Sequence, residues 1–288
     1  MKCYLCESID LGTVSGAVRD MPENKILECH DCGLVFLESF SHINDGFYEN
    51  SGMYENEHSP KQELVDSHKD DERRFRYTKE LVCNKDVLDF GCGYGGYLAL
   101  VKNYANSCDG LEINQRAKEE FGKNNIGLYS SVEEIPAGKK YDIITLFHVL
   151  EHLPDPRLVL KKLSGHLKED GCIIVEVPNS RDALLSVYGS EAFSKFTYWS
   201  CHLMLFDNKN LPLLFQQSGF KEQYIKQTQR YPLSNHLYWL AHGKPGGHKE
   251  LDFLNCDILH NAYEKKLASV GCCDTIIAKI KKTNRMYT

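Results

Sequence analysis

The feature that most narrows the fold is a short apolar segment, Val87-Leu88-Asp89-Phe90, that runs into Gly91-Cys92-Gly93-Tyr94-Gly95-Gly96. Such a run reads as a buried strand, and the glycines behind it allow a tight turn whose backbone can approach a ligand. A helix is predicted over 97–104, which completes a strand–turn–helix unit with polar or anionic groups favoured at the helix start. Glycines alone are a weak signal, and three neighbours sharpen it. Asp89 precedes the first glycine, where a carboxylate suits a cationic ligand better than a pyrophosphate. The next strand, near Cys108-Asp109-Gly110-Leu111, ends in Glu112, and an acid about 20 residues on can hydrogen-bond a ribose diol. Finally, Tyr141-Asp142-Ile143-Ile144-Thr145-Leu146-Phe147 is an apolar strand leading into His148-Val149-Leu150-Glu151-His152-Leu153-Pro154-Asp155-Pro156. No Gly-Lys-Ser/Thr follows the glycines, so a P-loop is excluded. A dinucleotide-binding Rossmann domain is the competing reading of the turn.

The remaining pattern fits an α/β sheet with helices on both faces. Helices are predicted over 155–167 and 211–218, with Leu158, Val159, Leu163 and Leu167 at helical spacing in the first. Cys172–Val177 is an apolar strand stopped by Pro178, and 220–229 and 273–280 read as the last two strands, with about forty residues between them. With 42% hydrophobic and 26% charged residues the composition is that of a globular protein. No apolar run approaches the ~20 residues of a membrane helix, and the amino terminus shows no signal-peptide pattern. A cytoplasmic chain without a membrane partner is expected.

That expectation bears on the twelve cysteines, which in a reducing compartment read as thiols or metal ligands. Four of them form two Cys-x2-Cys pairs, Cys3/Cys6 and Cys29/Cys32. Two such knuckles joined by a hairpin supply the four-sulfur shell of a structural Zn²⁺, a zinc ribbon over 1–40 in which Leu34-Val35-Phe36 is a strand. The ribbon holds three basic residues against seven acids, and residues 1–80 hold 9 against 17 within a chain of net charge −6. A nucleic-acid partner is disfavoured by that balance. Residues 41–80 are predicted as a helical linker or cap, aromatic-rich with Phe47, Tyr48, Tyr54, Phe75 and Tyr77.

The motifs VLDFGCGYGG and YDIITLFHVLEHLPDP resemble those of the class I S-adenosylmethionine-dependent methyltransferases, over roughly residues 83–220. The resemblance implies a Rossmann-like methyltransferase sheet over 81–288 that closes with an antiparallel strand pair. It implies that Asp89 and the Gly91, Cys92, Gly93, Gly95 turn wrap the methionine part of the cofactor. Glu112, followed by Ile113, would hold the ribose, Phe147 and His148 would line the methyl-transfer side, and Ser131 or Val132 would meet adenine through backbone. With the zinc ribbon, the chain is also similar to zinc-binding methyltransferases of nucleotide-activated sugars, which usually carry a further carboxyl-terminal domain.

A sulfonium methyl is already activated, so transfer needs an aligned nucleophile and, for a hydroxyl, a base. His148 stands at the end of a central strand, where ligands bind in open α/β sheets, and is a contact residue or a structural cap. His152 and His202 are the base candidates, and Glu151 either joins them or fixes the loop backbone. The segment inserted at 231–272 concentrates Asn235, His236, Tyr238, Trp239 and a Gly-Lys-Pro-Gly-Gly-His run. It reads as a substrate lid or a surface for a homodimer, or else as a plain connection followed by a packed helix over 251–267. The expected activity is methyl transfer to a small molecule or saccharide. A zinc-ribbon RNA methyltransferase and a non-catalytic cofactor-binding module are the alternatives.

Overall fold

The structure is a computed structural model that describes residues 1–44, 46–50, 60–114, 118–124 and 126–283. Tyr54 and the middle of the expected linker lie outside the described residues. Strands β1 (Leu11–Thr13), β2 (Ile26–Cys29) and β3 (Val35–Leu37) form an antiparallel amino-terminal sheet. Helices α1 (Phe47–Asn50) and α2 (Pro60–Val82) lead to β4 (Asp86–Phe90) and α3 (Gly96–Val101). After them come β5 (Ser107–Leu111), α4 (Lys118–Lys123), β6 (Gly127–Tyr129), β7 (Tyr141–Phe147), α5 (Pro156–Gly165) and β8 (Leu167–Pro178). Short helices α6 (Ala183–Ser186) and α7 (Glu191–Thr197) precede β9 (Met204–Leu205), α8 (Leu211–Gln217) and β10 (Phe220–Thr228). Between β10 and β11 (Thr275–Lys282) stand α9 (Leu233–His242), α10 (Gly247–Glu250) and α11 (Asp257–Val270).

The large sheet has the order β10-β11-β8-β7-β4-β5-β6, with β11 antiparallel to both neighbours and the rest parallel. Strand order reverses between β4 and β7, which is where open α/β sheets bind ligands. Its strands are near-continuous apolar runs because both faces are covered. Ile143 and Phe147 pack with Val82, Tyr97 and Leu98 on one face, while Ile144 and Leu146 pack with Leu160, Leu163, Leu214 and Phe215 on the other. Asp155 caps α5 by accepting from Leu158 N at 3.0 Å, and Pro156 fills the first helical position, where its missing N–H costs nothing.

Two elements differ from the sequence reading. The strand expected at 172–177 begins at Leu167, because Asp170-Gly171 is carried inside the β-strand rather than ending the unit. The helix expected from Leu251 is broken, with a 3-10 turn at Asp252–Leu254 and α11 starting at Asp257.

The amino-terminal module is stitched into the larger one. β9 pairs with β3, and a single buried cluster runs from Cys3, Leu5 and Phe36 to Leu88, Leu150 and Phe215. Tyr4 Oη donates to Asp155 at 2.5 Å, Gln217 donates to Leu5 O at 2.6 Å, and Ser200 Oγ donates to Asp20 at 2.6 Å. Among the described residues no helix is long and apolar enough to cross a membrane.

Candidate active site

The glycine turn is built as its sequence demands. Gly91, Gly93 and Gly95 have φ of +74°, +52° and +79°, backbone that side chains rarely adopt. A Cβ on Gly91 would stand 2.5 Å from Val149 Cγ2, whereas one on Gly93 would meet nothing within 4 Å, so the turn is tight at one glycine and open at the next. Glu112 is buried at the end of β5 and anchors the turn: Gly93 N donates to Oε2 at 3.0 Å and Asn114 N to Oε1 at 2.9 Å. Asp89 lies beneath, accepting from Thr145 Oγ1 at 2.6 Å, and burial pushes its carboxyl up to about 7 despite that bond. A carboxylate so desolvated gains much from a cationic ligand.

A cleft of about 240 Å³ opens over the turn, lined by Tyr48, Phe90, Gly91, Leu111, Glu112, Ile113, His148, Val149, His152 and Leu153. The donor set, glycine cradle and buried acids fit S-adenosylmethionine. Of the residues expected here, Cys92 turns its sulfur toward Gly110 and Phe147 packs edge-on to Tyr97, with ring centroids 5.0 Å apart. Like Asp89, Gly93 and Gly95, neither of them belongs to the cleft lining, nor does Ser131, at the cap of a 3-10 turn after β6. Phe90, Val149 and Leu153 line the cleft beside Gly91, Glu112, Ile113 and His148.

A second cavity of about 300 Å³ adjoins the first through His148. Phe193, Phe196 and Trp239 form an aromatic wall, with centroids 5.2–6.2 Å apart. Polar groups face it from Asn179, Asp182, His202, Arg230, Asn235 and His236. Burial, helped by Asp274, pushes Asp182 up to about 8, so near neutrality it can stay protonated and donate. The inserted α9 supplies Asn235, His236 and Trp239, which gives the insertion a place over this cavity.

Between the two lies a buried polar network. His148 has φ of +56°, a left-handed backbone uncommon outside glycine and a strain often kept at functional sites. Its Nδ1 is 3.0 Å from Glu151 Oε1, and its Nε2 is 3.0 Å from Arg230 Nη1 and 3.3 Å from Glu176 Oε1. Arg73 makes a bidentate pair with Glu176 at 2.9 Å, and Arg74 adds contacts at 2.8 and 3.0 Å. Burial alone would raise the Glu176 carboxyl, but Arg74, His148 and Arg73 outweigh it and hold it well below the carboxylate range. Arg230 is tied to Asp70 by its guanidinium and to Asp274 by its backbone N–H.

The structure brings His148, His152 and His202 together. His152 Nδ1 lies 2.7 Å from Cys201 O and His202 Nδ1 lies 2.9 Å from Thr197 O, so both rings donate at Nδ1 and carry their lone pairs on Nε2. Burial lowers both imidazoles, His202 to about 4, and keeps them neutral. Asp70, Arg73, Arg74 and Glu176 went unnoticed in the sequence. A lone acid inside the apolar run Cys-Ile-Ile-Val-Glu-Val and a paired Arg73-Arg74 on the preceding helix were the available signals.

The four expected zinc ligands also converge, at the tip of the small sheet. Cys3 and Cys32 sulfurs are 3.5 Å apart, Cys6 and Cys29 are 3.4 Å apart, and all four fall within 4.8 Å of one another. Contact with Cys32 holds the Cys3 thiol down to about 5, and the same contact pushes Cys32 up. Four thiolates this close would repel one another, a charge problem that a dication removes. Sulfurs around Zn²⁺ stand about 3.8 Å apart, close to the spacing here.

Strand order, glycine turn and buried acids define a class I S-adenosylmethionine-dependent methyltransferase. A sequence profile described as "Methyltransferase domain" matches residues 65–224, more than half of the chain, and the chain belongs to that family. Relatives named ubiquinone biosynthesis O-methyltransferase are 25% identical over 183 residues in Neisseria meningitidis (58% of this chain, 72% of that protein) and 31% identical over 122 residues in Glaesserella parasuis (37% and 52%). The chain thus spans about half to seven-tenths of the length of these relatives. A S-adenosylmethionine-dependent methyltransferase structure from Archaeoglobus fulgidus matches with a TM-score of 0.50 at 22% identity, covering 77% of this chain and 95% of that one. That likeness shows the fold.

Proposed function

We propose that the protein methylates a polar ring, a nucleotide-activated sugar or saccharide, held in the aromatic-walled cavity beside His148. The observation that carries this reading is the cavity itself: one apolar wall of Trp239, Phe193 and Phe196 for a ring face, opposite Asn235, Asp182, Arg230 and His202 for hydroxyls. Few, well-placed polar groups on an apolar lining are the usual grammar of small-molecule sites. When bound, S-adenosylmethionine supplies a methyl already activated as a sulfonium. Glu112 and the glycine turn hold the ribose and methionine parts, and Asp89 offsets the positive charge. His148, common to both cavities, aligns the acceptor across the boundary. Deprotonating an acceptor hydroxyl there requires a lone pair or a cation, and Glu151, His152 and His202 present the lone pairs.

In the same reading Cys3, Cys6, Cys29 and Cys32 hold a structural Zn²⁺, and the ribbon over 1–40 acts by holding the segment that carries His202. Leu37 N donates to Leu203 O at 3.0 Å, Arg19 N to Tyr198 O at 3.0 Å, and β3 pairs with β9. Residues 41–80 cap the sheet, and 81–288 form the methyltransferase unit with the insertion at 231–272 as its lid.

The test is incubation with S-adenosylmethionine and parallel sets of nucleotide sugars, free saccharides and catechols, read by mass spectrometry. A methyl gained by a nucleotide sugar or saccharide supports the reading. Transfer to catechols alone would assign the activity printed for the relatives and overturn it.

A further inference from the structure

Glu151, His152 and His202 each place one ligand atom within 4.8 Å of the other two. Both imidazoles turn Nε2 into the cluster, because their Nδ1 atoms are committed to Cys201 O and Thr197 O. Glu151 is wholly buried, its Oε1 is held by His148 at 3.0 Å, and its Oε2 has no hydrogen-bond partner among the described residues. Two nitrogen lone pairs thus face a carboxylate whose Oε2 has no hydrogen-bond partner among the described residues, an arrangement that costs free energy unless a cation sits there.

We propose that these three residues form a second metal site, independent of the cysteine cluster, that binds a divalent first-row transition ion. Imidazole selects ions of the zinc, iron and nickel type over magnesium or calcium. Two histidines and one carboxylate are a ligand set of catalytic zinc, which leaves coordination positions open. The outer partners match as well: a ligating histidine characteristically gives its other N–H to a carbonyl, as both do here, and a ligating carboxylate is itself hydrogen-bonded, as His148 does for Glu151. Ligands at ~2.1 Å from a tetrahedral ion stand about 3.4 Å apart, so atoms that now lie within 4.8 Å of one another would draw in by up to about 1.4 Å as the ion binds.

The location gives the ion a use. His152 lines the cofactor cleft and His202 lines the aromatic-walled cavity, so the site stands on the boundary between them. Its open positions would take an oxygen of the acceptor, a hydroxyl or neighbouring diol, and lower its pKa so that the proton leaves to solvent and the metal-bound alkoxide oxygen receives the methyl. This use rests on the proposed acceptor cavity; the binding of the ion does not.

The experiment is cobalt substitution of the full chain, produced in cobalt-supplemented medium, with metal analysis and absorption spectroscopy. The expected result is one equivalent with strong thiolate-to-cobalt bands and a second with only weak ligand-field bands. Glu151→Gln and His202→Ala should each remove the second equivalent and leave the thiolate bands intact. Glu151→Gln preserves side-chain shape, and an unchanged thermal transition shows that the variant is folded. A wild-type protein that holds the thiolate-bound equivalent alone would overturn the proposal, as would a second equivalent that persists in both variants. No acceptor enters this measurement, so a protein that binds the ion yet methylates no sugar contradicts the acceptor assignment and leaves the metal site standing.

Discussion

The two sides of the β4–β7 switch are built in different ways. On the cofactor side, Asp89, the three glycines and Glu112 come from one strand–turn–helix unit and the strand after it, within 24 residues of sequence. On the side proposed for the acceptor, the polar network beside the cavity draws Asp70 and Arg73 from α2, His148 and Glu151 from the end of β7, Glu176 from β8, His202 from the segment paired with β3 and Arg230 from beyond β10. A local unit can carry a ligand all proteins of the class share. A site drawn from the whole chain can change its acceptor without touching the cofactor. The comparison therefore predicts separable defects.

Loss of the zinc proposed at the cysteine cluster should give the largest effect. Structural zinc binding in small modules is worth ~10 kcal/mol or more. Cys29→Ser should release the metal, loosen the His202 segment through β3 and β9, and abolish turnover. S-adenosylhomocysteine affinity, by calorimetry, should stay within a few-fold; a parallel loss would mean that the ribbon serves both sides.

Glu176→Gln comes next. It leaves Arg73 and Arg74 facing a buried neutral amide, and breaking a buried pair costs about 3 kcal/mol or more. The melting temperature and turnover should both fall, with cofactor affinity again retained.

The smallest effect is the most specific to the cofactor side. Asp89 titrates near 7 in the free protein because it is buried. A cationic ligand requires its anion, so below about pH 7 binding must expel a proton, and S-adenosylmethionine affinity should fall by up to about tenfold per pH unit. Above that pH it should level off, since the carboxyl is already ionised. Calorimetry across about pH 6 to 8 checks this, and a flat profile would remove Asp89 from the cation's surroundings.

The same contrast explains what was legible in the sequence. The central strands, the glycine turn and the segments of β10 and β11 could be read because each signal is contiguous, while the antiparallel pairing of the last two came from the family resemblance. The cysteine knuckles were legible for the same reason, since their spacing is itself the geometry. The resemblance implied Phe147 on the methyl-transfer side beside His148, but strand alternation packs its ring against Tyr97 in the core, and the left-handed backbone at His148 then turns the chain. Arg73, Arg74 and Glu176 were hidden because a salt bridge across 103 residues leaves no local pattern. The ribbon looked like a separate module, but the β3–β9 pairing and the bonds from Leu37 to Leu203, Arg19 to Tyr198 and Ser200 to Asp20 tie it to the segment that carries His202.

The account stands most directly on a kinetic split between two single substitutions, measured with one acceptor. Glu112→Ala removes the carboxylate that anchors the glycine turn, and a charged hydrogen bond of ~1.5–3 kcal/mol corresponds to a rise of about ten- to a hundredfold in the KM for S-adenosylmethionine. Trp239→Ala removes the aromatic wall and should raise the KM for the acceptor by about tenfold. The prediction is that each substitution moves its own KM and leaves the other within a few-fold. If Trp239→Ala moved the cofactor KM, or left the acceptor KM unchanged, the division of the site between the two cavities would be wrong.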